Sequence, residues 1–164
     1  MDRPSLTRRN LTTAGALTVA ATTGALAQTE PQKPGGLTVA PASQAGLSPR
    51  LTLHAIDNFH GTPGAGMVCD LSVRDGEDYH LVKTVTTAAN GRTPEPLLLD
   101  DGLRAGRYEL LLHVEEYFRR LGAALPAPNF LGLVPVRFVI RDVAQRYHLP
   151  ILFSPWGYSY YRGS

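Results

Sequence analysis

The 164-residue chain has one cysteine, Cys69, so it cannot form an intramolecular disulfide. No apolar run reaches the roughly 18 residues that a membrane-spanning helix needs. Charged residues make up only 18% of the chain, and they form no basic stripe of the kind that binds nucleic acid. Stability must therefore come from a packed core, which the 43% hydrophobic content can supply.

Cys69 alternates with Met67, Leu71 and Val73, a pattern that predicts a buried strand position. No neighbouring residue would lower the pKa of its thiol, so the sequence favours a structural cysteine over a nucleophile.

Residues 1–27 differ in character from the rest of the chain. Arg8 and Arg9 precede a moderately apolar stretch, residues 11–26, which ends in the small-x-small pattern Ala25-Leu26-Ala27. This arrangement predicts a twin-arginine export signal, with an ordinary secretory leader as the alternative. We therefore expect the protein to be periplasmic or secreted.

The basic charge of the chain belongs to this leader. Without residues 1–27, 13 basic and 13 acidic side chains remain, which indicates no nucleic-acid partner and no membrane contact after cleavage. Residues 28–49 are rich in Pro, Gly, Ala, Ser and Gln and predict a flexible linker. The folded domain is expected to span residues 50–164.

Within the domain the dominant hydrophobic period is two, which predicts strands. The predicted strands are 51–57, 67–73, 79–87, 107–114, 134–140, 148–153 and 158–162. Val114, Phe118 and Leu121 lie at helical spacing, and Gly122 could cap that helix. Asn90-Gly91 is a strong turn signal. The fold class is all-β, a β-sandwich of about eight short strands with one short helix.

The C-terminal segment carries the clearest motif. The chain ends in Tyr161-Arg162-Gly163-Ser164, and residues 147–164 as a whole resemble the terminal segment of the 5-hydroxyisourate hydrolases. These transthyretin-related enzymes typically end in this tetrapeptide, which transthyretin itself lacks. The resemblance therefore indicates the enzyme and not the hormone carrier.

Two further segments resemble the same family. Leu51 to Asp57, followed by a Gly-Pro-Gly loop, is similar to its first strand with a histidine, and Thr86 to Arg92 is similar to its turn-plus-arginine motif. The resemblance covers about residues 50–164. Residues 126–136 depart from the family's Phe-Pro-Glu pattern, and His60 is unusual in the first loop.

The resemblance implies a transthyretin-like β-sandwich that hydrolyses 5-hydroxyisourate to 2-oxo-4-hydroxy-4-carboxy-5-ureidoimidazoline in urate degradation. It implies a small-molecule substrate, no cofactor and no metal. It also implies a homotetramer, a dimer of dimers, with its sites in a channel between the dimers.

The reaction needs an activated water and stabilisation of charge on a carbonyl oxygen. Histidine suits the first task and arginine the second. His54 points away from the core face of its strand, and Arg92 follows a turn, so residue by residue both could be surface side chains. The resemblance implies that His54 and Arg92 are catalytic and bind the substrate.

His148 could equally be a structural histidine, but the resemblance implies a second catalytic histidine. The sequence does not assign the general base between it and His54. By resemblance Tyr161 contacts the substrate and Ser164 is a catalytic residue lining the site, whereas the role of Arg162 stays open.

The residues also allow three alternatives. Five histidines could supply zinc ligands, but none of the close spacings that favour zinc is present. A transthyretin-like binding protein without catalysis would lose His54, Arg92 or the terminal tetrapeptide. An exported adhesion or carbohydrate-binding module would expose aromatic rows, for which only Tyr158, Tyr160 and Tyr161 qualify. The remaining histidines, His60, His80 and His113, are expected to be structural or on the surface.

Overall fold

A computed structural model describes residues 48–163. The predicted export signal, most of the predicted linker and Ser164 lie outside the described residues. The first strand begins at Arg50, where the folded domain was expected to start. Within the described range, no helix combines the length and the apolar character needed to cross a membrane.

Residues 48–163 form nine strands and one α-helix. The strands are β1 (Arg50–Asp57), β2 (Thr62–Pro63), β3 (Val68–Asp75), β4 (Asp78–Thr86), β5 (Leu98–Leu99), β6 (Gly106–His113), β7 (Leu133–Ile140), β8 (Arg146–Phe153) and β9 (Tyr158–Tyr160). The helix α1 spans Val114–Arg120. The predicted all-β class, with one short helix, is confirmed.

The strands form two sheets. The first sheet has the order β2-β1-β8-β9, with β5 also paired to β1, and the second has the order β4-β3-β6-β7. All neighbouring strands are antiparallel except β1 and β8, which are parallel. Because β1 and β8 come from opposite ends of the domain, their pairing brings distant sequence segments side by side.

The core lies between the two sheets, and β1 shows how alternation builds it. Leu51, Leu53 and Ala55 are buried, whereas the residues between them are only partly buried. This confirms that His54 points away from the core. Cys69 is fully buried, and burial raises the pKa of its thiol to about 12, as expected for a structural cysteine.

The predicted helix is also confirmed. Val114, Tyr117 and Phe118 turn into the core, and Gly122 follows the last turn at φ +69°. Leu121, the third residue of the predicted apolar spacing, is instead exposed and lies just past the last helical residue. The N–H of Gly122 bonds the carbonyl of Arg119, so this glycine satisfies a helix-end acceptor in a conformation that favours glycine.

The strands differ from the sequence expectations in two ways. The last strand ends at Tyr160 and not at Arg162. The strands β2 and β5 were not predicted, because two residues are too few to show alternation.

The inward position at the end of β1 is occupied by Asp57, a fully buried carboxylate.

Candidate active site

The parallel pairing of β1 with β8 brings the two predicted catalytic histidines together. Thr52 lies opposite His148, and His54 lies opposite Pro150, so both imidazoles project from the same outward face. Their ring centroids are 6.4 Å apart, and the ring planes differ by 27°. This distance lets both rings act on one small bound molecule.

Arg92 reaches the same face through the predicted Asn90-Gly91 turn. The Gly91 carbonyl accepts the N–H of Ala55 at 2.8 Å, and Arg92 forms an isolated antiparallel bridge with His54. Gly91 has φ +72°, and a Cβ there would lie 2.3 Å from the Ala55 carbonyl oxygen. Only glycine lets the turn lie this close to β1.

The C-terminal segment lies against the second histidine. The Gly163 N–H bonds the His148 carbonyl at 2.8 Å, and a Cβ on Gly163 would come within 2.9 Å of His148 Cδ2. The terminal tetrapeptide is therefore held beside an imidazole. Tyr161 is 58% exposed, and its substrate contact stays a prediction. Ser164 lies outside the described residues, so its role also stays a prediction.

Arg162 makes contacts away from this face. Its Nη2 donates to Gln145 Oε1 at 2.5 Å, and its guanidinium lies 4.7 Å from the centre of the Tyr147 ring. The sequence left its role open, and these contacts indicate that it anchors the terminal segment.

A groove of about 540 Å³ opens beside the histidines. Its polar lining comes from Arg50, Thr52, Arg92, Thr93, Glu95, Arg146 and His148. Three arginines against one carboxylate make it cationic, which suits a planar substrate rich in carbonyl oxygens. A groove of about 610 Å³ elsewhere carries Asp100 and Asp101 but no histidine, so it lacks this chemistry.

Burial and positive charge both act on the two imidazoles. Burial lowers the pKa of His54, and the Arg92 charge lowers it further, whereas a hydrogen bond to the Asn90 main chain raises it. Burial also lowers the pKa of His148, and the charges of Arg92, His54 and Arg146 lower it further. Both rings are therefore neutral at pH 7 and able to accept a proton.

The other two histidines with side-chain partners lie apart from this groove. His60 Nδ1 is 2.6 Å from Asp57 Oδ2, and His113 Nε2 is 2.7 Å from Asp70 Oδ2. These contacts agree with the expectation that both are structural or surface histidines. Among residues 48–163, no three His, Cys, Asp or Glu side chains gather closely enough to hold a metal ion.

Sequence reasoning missed Thr52, Arg50 and Arg146, which line the groove together with Arg92 and His148; the predicted His54 is not among the lining residues. Thr52 and Arg50 occupy the same outward positions of β1 as His54, two and four residues earlier. That spacing was the available signal for both. Arg146 lies two residues before His148 on β8, so the same reasoning would have found it.

Residues 51–163 match the family model described as the HIUase/Transthyretin family. The 5-hydroxyisourate hydrolase 2 of Rhizobium meliloti (strain 1021) is 48% identical over 117 residues, which are 71% of this chain and 98% of that protein. The chain belongs to the HIUase/Transthyretin family.

Solved structures agree with this membership. The Klebsiella pneumoniae 5-hydroxyisourate hydrolase has a TM-score of 0.57 and 33% identity, and the alignment covers 71% of this chain and 94% of that one. An (S)-allantoin synthase has a TM-score of 0.66 and 35% identity over 70% of this chain. This chain spans only 43% of the length of that synthase, so the likeness concerns one part of it.

Proposed function

We propose that this protein hydrolyses 5-hydroxyisourate to 2-oxo-4-hydroxy-4-carboxy-5-ureidoimidazoline, a step of urate degradation. The observation that carries the proposal is the meeting of His54, His148 and Arg92 on one cationic face. Relatives that align over this whole domain are named 5-hydroxyisourate hydrolases, which supports the proposed substrate and reaction class.

The chemistry follows from the charges around the site. A neutral imidazole takes a proton from water while the water oxygen bonds to a ring carbonyl carbon, and the C=O electron pair moves onto oxygen. The Arg92 guanidinium, whose charge acts on both imidazoles, stabilises that oxyanion. The carbonyl then re-forms as the ring C–N bond breaks, and the imidazolium returns the proton to the departing nitrogen.

The test is direct. Urate and a urate oxidase generate 5-hydroxyisourate in place, and its ultraviolet absorbance is followed with and without the purified protein. We expect a marked acceleration of decay that His54→Ala removes. A folded protein that leaves the spontaneous rate unchanged would favour the non-catalytic binding protein.

The same proposal includes a homotetramer, a dimer of dimers whose central channel holds the sites. The outward position of His54 and His148 supports it, because a channel between dimers would enclose this otherwise open face. Gel filtration with light scattering tests it, and a monomeric mass would contradict it.

We further propose that residues 1–27 direct export to the periplasm or beyond the cell. Support comes from Arg8-Arg9, the apolar stretch and the small-x-small ending. Fractionation of cells expressing the full chain tests this, with Arg8→Lys/Arg9→Lys as the variant. Unchanged export of the double variant would favour the ordinary secretory leader.

A further inference from the structure

A threonine hydroxyl lies against the second histidine. Thr52 lies directly opposite His148 in the β1–β8 register, so their side chains project side by side from the outward face. Thr52 Oγ1 is 2.8 Å from His148 Nδ1 and 3.4 Å from the Tyr147 carbonyl oxygen. Among the described residues, these are the two polar contacts found for the hydroxyl.

One arrangement of protons makes both contacts hydrogen bonds. A carbonyl oxygen can only accept, so in that arrangement the Thr52 hydroxyl donates its one proton to the Tyr147 carbonyl, and its oxygen accepts the N–H of His148 Nδ1. This arrangement puts the proton of the neutral ring on Nδ1 and a lone pair on Nε2.

The Thr52 main chain is compatible with the same arrangement. A hydrogen bond to it opposes the lowering of the pKa of His148 by burial and by Arg92. A main-chain hydrogen bond raises the pKa of a histidine when the ring is the donor, so it agrees with an N–H directed toward Thr52.

We propose that Thr52 is a positioning residue that holds His148 with its proton on Nδ1, so that Nε2 accepts the proton of the attacking water. The inference rests on the proposed hydrolase function. It assigns His148 as the base because the Thr52 hydroxyl contacts the His148 ring, and Thr52, His148 and Arg92 line the same groove. Without the hydroxyl, the ring is freer to adopt the Nε2–H form that free histidine prefers, which cannot accept a proton at Nε2.

The test compares two substitutions in the full chain. Thr52→Val removes the hydroxyl but keeps the branched shape, and valine suits a strand position. Thr52→Ser keeps the hydroxyl and is the matched control. Ring nitrogens are observed by NMR with ¹⁵N-histidine, and the His148 signals are assigned by their absence in His148→Gln.

We expect the wild type and Thr52→Ser to show protonated Nδ1 and unprotonated Nε2 at neutral pH. Thr52→Val should shift His148 toward Nε2–H and lower kcat about tenfold to a hundredfold with little change in KM. Wild-type protein with the proton on Nε2 would overturn the inference. So would a folded Thr52→Val variant that keeps the wild-type tautomer and kcat.

The NMR measurement needs no substrate, so it separates the two proposals. A chain with protonated Nδ1 that fails to accelerate 5-hydroxyisourate decay would refute the hydrolase function while the tautomer assignment stood. If Thr52→Val did not fold, the wild-type spectrum alone would decide the tautomer, and Thr52→Ala would supply the kinetic comparison.

Discussion

Two pairs of histidines in this molecule have opposite surroundings. His60 and His113 each contact a carboxylate, at 2.6 and 2.7 Å. His54 and His148 instead lie near Arg92: burial lowers the pKa of both rings, and the Arg92 charge lowers it further. Burial beside a cation favours the neutral ring, which can accept a proton. The sign of the neighbouring charge therefore distinguishes the proposed catalytic pair from the pair that contacts carboxylates.

The neighbours of the two pairs also differ. Gly91 and Gly163 let the main chain lie close to the rings of His54 and His148. His60 instead contacts the aromatic rings of Phe59 and Phe118, at centroid distances of 4.8 and 5.9 Å.

The largest expected effect is on catalysis. Arg92→Ala should lower kcat about a hundredfold to a thousandfold, because it removes the cation that stabilises the developing oxyanion. The fold should survive, since the turn is held by main-chain bonds such as Ala88 N–H to the Arg92 carbonyl at 2.7 Å. Steady-state kinetics and thermal unfolding measure the two effects.

Arg119→Ala is the control for this prediction. It removes the same charge from an exposed helix position whose partner, Glu116, is 3.5 Å away, and it should keep wild-type activity. Full activity in Arg92→Ala would show that Arg92 is not the charge stabiliser.

Removing the carboxylate that His60 contacts should lower the stability of the fold. Asp57 is fully buried and accepts four hydrogen bonds, from the Phe59 and His60 N–H groups, the His60 ring and the Tyr117 hydroxyl. Asp57→Ala leaves these donors without their acceptor and should lower the free energy of unfolding by about 3 kcal/mol. Urea denaturation measures it, with exposed Asp75→Ala as the control.

The kinetics of the same variant sharpen the comparison. Under conditions where Asp57→Ala is fully folded, kcat should change far less than in Arg92→Ala, because the carboxylate does not line the groove. A loss of kcat as large as that of Arg92→Ala, without a loss of stability, would mean that the Asp57–His60 pair takes part in catalysis.

Most of the secondary structure could be predicted from the sequence, but the site residues could not be predicted from their local sequence alone. Period-two alternation indicated β1, β3, β4, β6, β7 and β8, and helical spacing with Gly122 indicated α1. The positions of His54, Arg92 and His148 came from the family resemblance. Nothing in their local sequence separated them from surface side chains.

The remaining features depend on pairing between distant segments. Thr52 and His148 are 96 residues apart, and only the parallel register of β1 and β8 places them together. Asp57 looked like the polar end of a strand, yet Tyr117 and the loop after β1 satisfy it in the core. Partners as distant in sequence as His148 is from Thr52, or Tyr117 from Asp57, leave no periodic signal in one chain.

The smallest expected effect distinguishes which of the two proposed catalytic histidines, His54 or His148, is the general base. The Arg146 charge lowers the pKa of His148 but is not among the causes for His54. The base must be unprotonated, so kcat/KM falls as pH drops through its pKa, and the wild-type midpoint should lie below the ordinary histidine value of about 6.5. Arg146→Gln should raise the pKa of His148 and move this midpoint to higher pH.

The pH profile is best recorded at low ionic strength, because salt then screens the effect of the Arg146 charge on His148 least. Arg141→Gln is the matched control, since this exposed arginine acts on neither histidine pKa and should leave the midpoint unchanged. A midpoint that rises in Arg146→Gln alone identifies His148 as the base. Superimposable profiles for all three proteins would assign the proton to His54, and Thr52 would then position only a binding residue.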